Sequence, residues 1–192
     1  MSEATMSKSE FDSQAVLIER AIPEDAEAVS DLLRRTWMAT YPNAEAGITE
    51  EDIRLRTEGE NGERIPQNIE NWRKRIETDD GSGAVFVART NGKVVGLAAP
   101  GFIDGKRHVG ALYVLPETQG SGIGSKLMQK ILNWHNAEEN NIYLRVASYN
   151  QNAIDFYKRF GFEQTENPIV DEGNVYGNTQ IPEIEMMRKG QK

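Results

Sequence analysis

The sequence predicts a single mixed α/β domain whose sheet is partly antiparallel and partly parallel. Three observations carry this. Two turn signals, Asn91-Gly92 and Asp104-Gly105, separate strand-forming runs in the middle of the chain, and Asn-Gly between such runs is the strongest short hairpin signal. A glycine-rich turn, Gly120 to Gly124, stands between a strand-like run and a helical one. Beyond it strand and helix patterns alternate, the order that builds a sheet flanked by helices. At 192 residues the chain is long enough for one compact domain with a sizeable core and too short for two ordinary ones.

In chain order, residues 1–13 are small, polar and aperiodic, and read as a disordered tail before a domain over 14–190. A short apolar run, Ala15 to Ile18, suggests the first strand. Pro23-Glu24-Asp25 then places proline and acids where a helix N-terminus wants them. Ala26, Val29, Leu32, Leu33, Thr36 and Trp37 follow at helical spacing, so a helix runs to about Ala39. Thr49-Glu50-Glu51-Asp52 is a capping signature for a second helix. Gly59 and Gly62 interrupt it, and Pro66 opens a third helical stretch through Trp72 and Ile76. Strands are expected over Ala84 to Ala88, Lys93 to Ala98 and His108 to Leu115, as an antiparallel meander. A helix carrying Leu127, Met128, Ile131, Leu132 and Trp134 comes next. After it come a strand (Ile142 to Ala147), a helix (Asn152 to Phe160) and a closing strand near Ile184 to Met187.

Composition excludes several functions. With 38% hydrophobic and 27% charged residues the chain is ordinary for a soluble globular protein. No apolar run approaches the roughly 18 residues that span a bilayer, and the N-terminus has no signal-peptide core. The absence of cysteine removes disulfides, a thiolate nucleophile and thiolate metal sites. The expectation is a cytoplasmic protein with no membrane partner. A net charge of −8 argues against nucleic acid as a partner. Part of that acidity is local: from Glu45 to Asp80 there are eleven Asp or Glu against six Arg or Lys. Such a stretch is either a solvated helical face or an acidic rim that concentrates a cationic amine, acting over about 10 Å at 0.1 M salt.

The glycine turn carries the first chemistry. Gln119-Gly120-Ser121-Gly122-Ile123-Gly124 precedes a helix whose first N–H groups are unpaired, a natural seat for a pyrophosphate. A plain tight turn is the competing reading. The dinucleotide fingerprint fails, since its third glycine would fall on Ser125 or Leu127, and the triphosphatase loop fails at Ser125-Lys126-Leu127.

What fits is Q-x-x-G-x-G, here Gln119, Gly122 and Gly124, following Val114-Leu115-Pro116. A second block, Asn150, Ala153, Phe156, Tyr157, Gly161 and Phe162, fits N-x-x-A-x-x-F-Y-x-x-x-G-F. Together, ordered and about 30 residues apart, the blocks resemble the GNAT superfamily of N-acetyltransferases. The resemblance covers residues 84–165 in detail and 15–83 by element order. It implies the GNAT fold, acetyl-CoA as co-substrate and an amine acceptor, whether small molecule or peptide.

The resemblance also implies roles. The amides of Gln119, Gly120, Ser121, Gly122, Ile123 and Gly124 would hold the pyrophosphate. Leu112, Tyr113 and Val114 would pair with the pantetheine, the Val114 N–H polarising the thioester. Asn150 and Ala153 would also contact the cofactor. Tyr157 matches the family's general acid near the sulfur; it could instead be a core aromatic beside Phe156 and Phe160, as Asn150 could be a plain helix cap.

For the base, His108 lies on the strand entering the site, where positions 108, 110, 112 and 114 would share one face. A half-exposed strand residue is the rival reading, and many family members use an ordered water. His135, flanked by Asn133 and Asn136, reads as a surface residue. Trp37, Tyr41 and Trp72 are candidate walls of the acceptor pocket, or core residues. A degenerate domain that only senses acyl-CoA is the rival function. The family's frequent homodimer leaves that assembly open here.

Overall fold

The structure, a computed structural model, describes residues 15–78, 80–167 and 180–191; the expected tail lies outside them. Seven strands form one sheet. They are β1 (Leu17–Arg20), β2 (Phe86–Thr90), β3 (Lys93–Ile103), β4 (Lys106–Val114), β5 (Ile142–Ala147), β6 (Glu163–Gln164) and β7 (Glu183–Arg188), in the spatial order β1-β2-β3-β4-β5-β7-β6. Five α-helices flank it: α1 (Ala26–Thr40), α2 (Glu50–Glu58), α3 (Arg64–Glu77), α4 (Ile123–Trp134) and α5 (Gln151–Arg159). Every pairing is antiparallel except β4 with β5. The expected mixed sheet is therefore present. The first strand lies two residues later than its apolar run suggested, and β6 was not foreseen.

Local chemistry accounts for the elements. Asn91 and Gly92 have φ of 51° and 75°, and Asp104 and Gly105 have 50° and 74°. Both pairs thus adopt the left-handed conformation that a two-residue hairpin requires. Thr49 caps α2: its Oγ1 accepts from the Asp52 N–H at 3.1 Å, and Asp52 Oδ2 accepts from the Thr49 N–H at 2.8 Å. Near the N-terminus, Arg89 of β2 donates to Glu19 of β1 and to the buried Asp25, whose other oxygen accepts from the Ile22 N–H. That network ties the first strand to the start of α1.

The helices cover both faces of the sheet. On β4, Val114 packs toward Gly124 at the start of α4, while its neighbour Tyr113 packs toward Trp37 of α1. Successive strand residues point to opposite faces, so α1 and α4 lie on opposite sides. Gly96 of β3 lets α4 come close: a Cβ there would stand 2.8 Å from Leu127 Cδ1 and 3.1 Å from Ile123 Cγ2. The main core runs through both layers and includes Leu32, Leu97, Leu127, Met128 and Ile142.

One irregularity sets up the site. The β3–β4 register pairs Ala99 with Ala111 but Gly101 with His108, so two steps on β3 face three on β4. The extra residue is a β-bulge. Pro100 cannot donate a ladder hydrogen bond, and Gly110 takes φ 69°. The strand expected to stop at Ala98 continues through the proline because the bulge absorbs it. A side chain at 110 is excluded, since a Cβ built there collides with the Ala99 carbonyl oxygen.

Replacing Gly110 by alanine is expected to cost about 3 kcal/mol or more, from left-handed strain plus a buried backbone collision. Gly105→Ala has the same sign of φ but open space around it, so it should lose only about 1–2 kcal/mol. Urea unfolding midpoints of the two variants measure the difference. Equal midpoints would show that the bulge tolerates a side chain.

Candidate active site

After the bulge, β4 and β5 part. Their pairing is a single position, His108 with Tyr143, although β4 stays paired to β3 as far as Val114. The edge of β4 beyond Gly110 therefore has no strand partner among the described residues. A groove of about 730 Å³ opens between the strands, lined by Leu112, Tyr113 and Val114 on one side and Arg145, Val146 and Ala147 on the other. Unpaired strand amides and carbonyls in such a groove suit an extended ligand with amides of its own.

One end of the groove is the glycine turn, with Gln119, Gly120, Gly122 and Gly124 in its wall. Gly120 and Gly122 have φ of 82° and 83°, and Gly122 is the N-cap of α4. The first amide of α4 with a backbone acceptor is that of Lys126, which bonds the Gly122 carbonyl at 3.1 Å. The amides ahead of it have no intrahelical partner and carry the positive end of the helix dipole. Gln119 Nε2 donates to the Val114 carbonyl at 3.1 Å, linking the turn to the end of β4. Ser121 and Ile123 do not line the groove with their side chains. The Ser121 hydroxyl donates to the Thr118 carbonyl at 2.6 Å, and Ile123 is buried in the core. The charged side chains lining the groove are Arg145 and Arg159, with no carboxylate among them, which suits an anionic ligand.

The α5 block forms the other wall, through Asn150, Ala153, Phe156 and Tyr157. Asn150 Oδ1 accepts from the Ala153 N–H at 3.1 Å, so the residue caps α5 and lines the groove at once. Tyr157 is buried, with Phe156 and Phe162 edge-on at 5.4 and 6.0 Å. Burial, with the neighbouring Tyr113, pushes its phenol well above the ordinary value. Tyr113 is also raised by burial, against hydrogen bonding from Tyr41, whose hydroxyl lies 3.1 Å away.

A second cavity, of about 780 Å³, lies on the α1 face between α1, α2, α3 and the ends of β3 and β4. Of the expected acceptor walls, Trp37 and Trp72 line this cavity, whereas Tyr41 lines the groove. Gly110 and Tyr113 line both. The two spaces meet at the bulge.

Three expectations need correction. His108 does not share a face with Leu112 and Val114: the extra residue at the bulge reverses the alternation and turns it toward the second cavity, beside Ala111 and Tyr113. It is also buried, at 4% exposure, with its ring 5.9 Å from that of Tyr143. His135 is not a surface residue. At 3% exposure it sits against Trp134 and Phe102, and its Nε2–H donates to the His108 carbonyl oxygen at 2.8 Å. It belongs to the stripe of Met128, Ile131 and Leu132, one helical turn further on. Finally, the acidic stretch does not rim the acceptor space. Glu45, Glu50, Glu60 and Glu77 are exposed, Glu51 and Glu70 pair with Arg54 and Arg73, and no carboxylate among the described residues lines the second cavity.

Sequence reasoning missed Glu183 on β7. Burial pushes its carboxyl above the usual range, against Arg145 and Arg56; burial likewise raises Tyr41, Tyr113 and Tyr149, and the Glu183 charge adds to each. Tyr149, pushed up to about 12, donates to the Tyr41 carbonyl at 2.8 Å. Nothing in the local sequence around Glu183 signals this, because its neighbours come from β5, α1 and α2.

Residues 48–178, about two thirds of the chain, match the family model of the acetyltransferase (GNAT) domain. The chain belongs to the GNAT acetyltransferase family. An N-alpha-acetyltransferase of Sulfurisphaera tokodaii is 35% identical over 99 residues, covering 43% of this chain. The chain spans only 58% of the length of that relative. Among solved structures, the PaiA N-acetyltransferase of Thermoplasma acidophilum, in complex with coenzyme A, superimposes with a TM-score of 0.58 at 21% identity, covering 91% of this chain and 99% of that one. The spermidine/spermine N-acetyltransferase SpeG of Vibrio cholerae gives 0.58 at 21% identity, covering 92% and 93%. These likenesses establish the GNAT fold for the sheet and helices described above. No helix among the described residues is long and apolar enough to cross a membrane.

Burial lowers the pKa of both histidines. A histidine depressed in the folded state takes up its proton more readily when unfolded, so stability rises with pH through the region below the ordinary 6.5. Proton NMR should place both imidazole midpoints under 6.5, and the thermal midpoint should fall as pH drops from 7 toward 5. Midpoints at or above 6.5 would contradict the buried placement.

Proposed function

We propose that this chain transfers the acetyl group of acetyl-CoA directly to an amine, a small molecule or a peptide N-terminus, with Tyr157 as general acid. The observation that carries the reading is the meeting of two cavities at Gly110 and Tyr113. Direct transfer needs donor and acceptor in separate spaces that touch only at the reacting atoms. The groove has the features a coenzyme A thioester requires: amides at a helix start for the pyrophosphate, a strand edge for pantetheine and arginines for remaining phosphate charge. The acceptor enters from the α1 face.

In this reading Gln119 to Gly124 hold the pyrophosphate and Leu112 to Val114 pair with the pantetheine. The Val114 N–H polarises the thioester carbonyl as it becomes an oxyanion. The neutral amine nitrogen forms a bond to the carbonyl carbon, the carbon–sulfur bond breaks, and the Tyr157 hydroxyl gives its proton to the departing thiolate. The proton shed by the nitrogen restores the phenol or leaves by water. An ammonium substrate thus yields an amide, a thiol and one released proton. The raised pKa of Tyr157 keeps it protonated at all pH values below about 10. The burial that raises it also disfavours a free thiolate, so the proton still has a favourable destination. His108, neutral at pH 7 because burial lowers its pKa, can accept the first ammonium proton from the acceptor side, or an ordered water does so.

Two substitutions test the assignment. A side chain at Gly122 meets no protein atom, so Gly122→Val intrudes on the space left for phosphate. Acetyl-CoA affinity should fall by about 2 kcal/mol or more, beyond about 1–2 kcal/mol of stability lost to left-handed strain. Calorimetry on the folded variant reads this, and unchanged affinity would displace the pyrophosphate from the turn. Tyr157→Phe keeps the ring and removes only the proton, so acetyl-CoA binding should persist while turnover falls roughly 10²-fold or more. A variant that binds acetyl-CoA with kcat within about twofold of wild type, chemistry being rate-limiting, would reassign the acid. A domain that only senses acyl-CoA would bind it and release no CoA with any amine.

A further inference from the structure

The acceptor cavity has an unusual charge. Four arginines, Arg34, Arg56, Arg64 and Arg75, line it, with no Asp or Glu in its wall among the described residues. Three of them are engaged within α1, α2 and α3. Arg34 is held by Asp31 at 2.7 Å and Glu58 at 3.2 Å. The Arg56 guanidinium lies 4.0 Å over the ring of Trp37, and Arg64 donates to the Arg56 carbonyl at 3.2 Å. Arg75 differs. Its Nη2 reaches only the Ala99 carbonyl, at a long 3.4 Å, and its guanidinium stands 5.3 Å over Trp72. No carboxylate pairs with it among the described residues.

Its position is as informative as its lack of a partner. Nη2 would lie 3.7 Å from a Cβ built on Gly110 and 3.8 Å from one built on Gly101. The guanidinium therefore sits over the bulge, where the two cavities join. A guanidinium with spare donors facing a cavity is well satisfied by a carboxylate, which it grips through two parallel N–H groups. A carboxylate placed there lies next to the point of transfer, so it must belong to the same small molecule as the amine, only a few bonds away.

Resting on the acetyltransferase reading above, we propose that the acceptor is an amino acid, and that Arg75 binds its carboxylate and so aims its amine at Gly110 and Tyr113. This reverses the preference for polycations that the acidic stretch suggested. Trp72 and Phe102 offer apolar wall for its side chain. Arg75 is a binding and positioning residue; the proton transfers remain with the groups named earlier.

The test uses matched acceptors that differ in the carboxylate. Phenylalanine is compared with phenethylamine and phenylalanine amide, leucine with isoamylamine, and methionine with 3-methylthiopropylamine; spermidine is the polycation. CoA release is measured for the wild type, Arg75→Gln and Arg75→Lys, and acetyl-CoA affinity by calorimetry for each. In the wild type at least one amino acid should exceed its carboxylate-free partner by tenfold or more in kcat/KM. Arg75→Gln should erase that preference through KM and leave the carboxylate-free amine within about twofold. Arg75→Lys should restore part of it, and acetyl-CoA affinity should not change. Spermidine or phenethylamine exceeding every amino acid overturns the inference while the acetyltransferase reading stands. So does an Arg75→Gln variant that slows paired acceptors equally, or acetyl-CoA binding with no CoA release from any amino acid. Failure to bind acetyl-CoA at all overturns both.

Discussion

The bulge at Gly110 is the constraint on which the site depends. Pro100 withholds a donor from the ladder, Gly110 supplies the positive φ that no side chain would tolerate there, and one extra residue enters β4. Two consequences follow from that single residue. Side chains before it change faces relative to those after it, and β4 bends away from β5 once the pairing of His108 with Tyr143 is passed. The groove exists because the strands part; the second cavity touches it because the bulge has no side chain to fill the gap.

Around this opening the fold places rigid groups. The turn at Gly120 to Gly124 is fixed to β4 by the Gln119–Val114 hydrogen bond, so the two ends of the groove are held in register. Asn150 fixes the start of α5 and thereby the side from which Tyr157 enters. The hydroxyls of Tyr41 and Tyr113 meet at 3.1 Å between α1 and β4. Each of these contacts uses a side chain to satisfy a backbone or phenolic group, so the wall is polar as well as apolar.

What the sequence disclosed was local. The hairpin turns, the capping box at Thr49 and the glycine turn are each written in a few consecutive residues whose conformational needs are specific, and the structure has all of them. The two motif blocks lie on opposite walls of one groove, as their spacing across a helix and a strand permits. What stayed hidden was parity and assembly. Counting by twos along β4 fails across a bulge, so His108 was assigned to the wrong face. Glu183 and Arg75 have their significance from neighbours far away in sequence. A net charge summed from Glu45 to Asp80 says nothing about which side of each helix is turned inward. Here Arg56, Arg64 and Arg75 line the second cavity, while Glu45, Glu50, Glu60 and Glu77 are exposed. His135 was legible in principle, since it continues the apolar stripe of α4; the polar residues beside it obscured that.

The two spaces draw on different stretches of chain. The groove is walled mainly by residues 110–159, and the second cavity mainly by residues 30–83 with the rim of β3 and β4. Apart from α1, whose Trp37 and Tyr41 look into opposite spaces, few residues answer to both. Drift in α2 and α3 can therefore remake the second cavity while the groove is inherited unchanged. Selection sees two nearly separate traits joined at one glycine. In a lineage of such chains the glycine turn and the α5 block should be the slow clock, and the arginine-bearing helices the fast one.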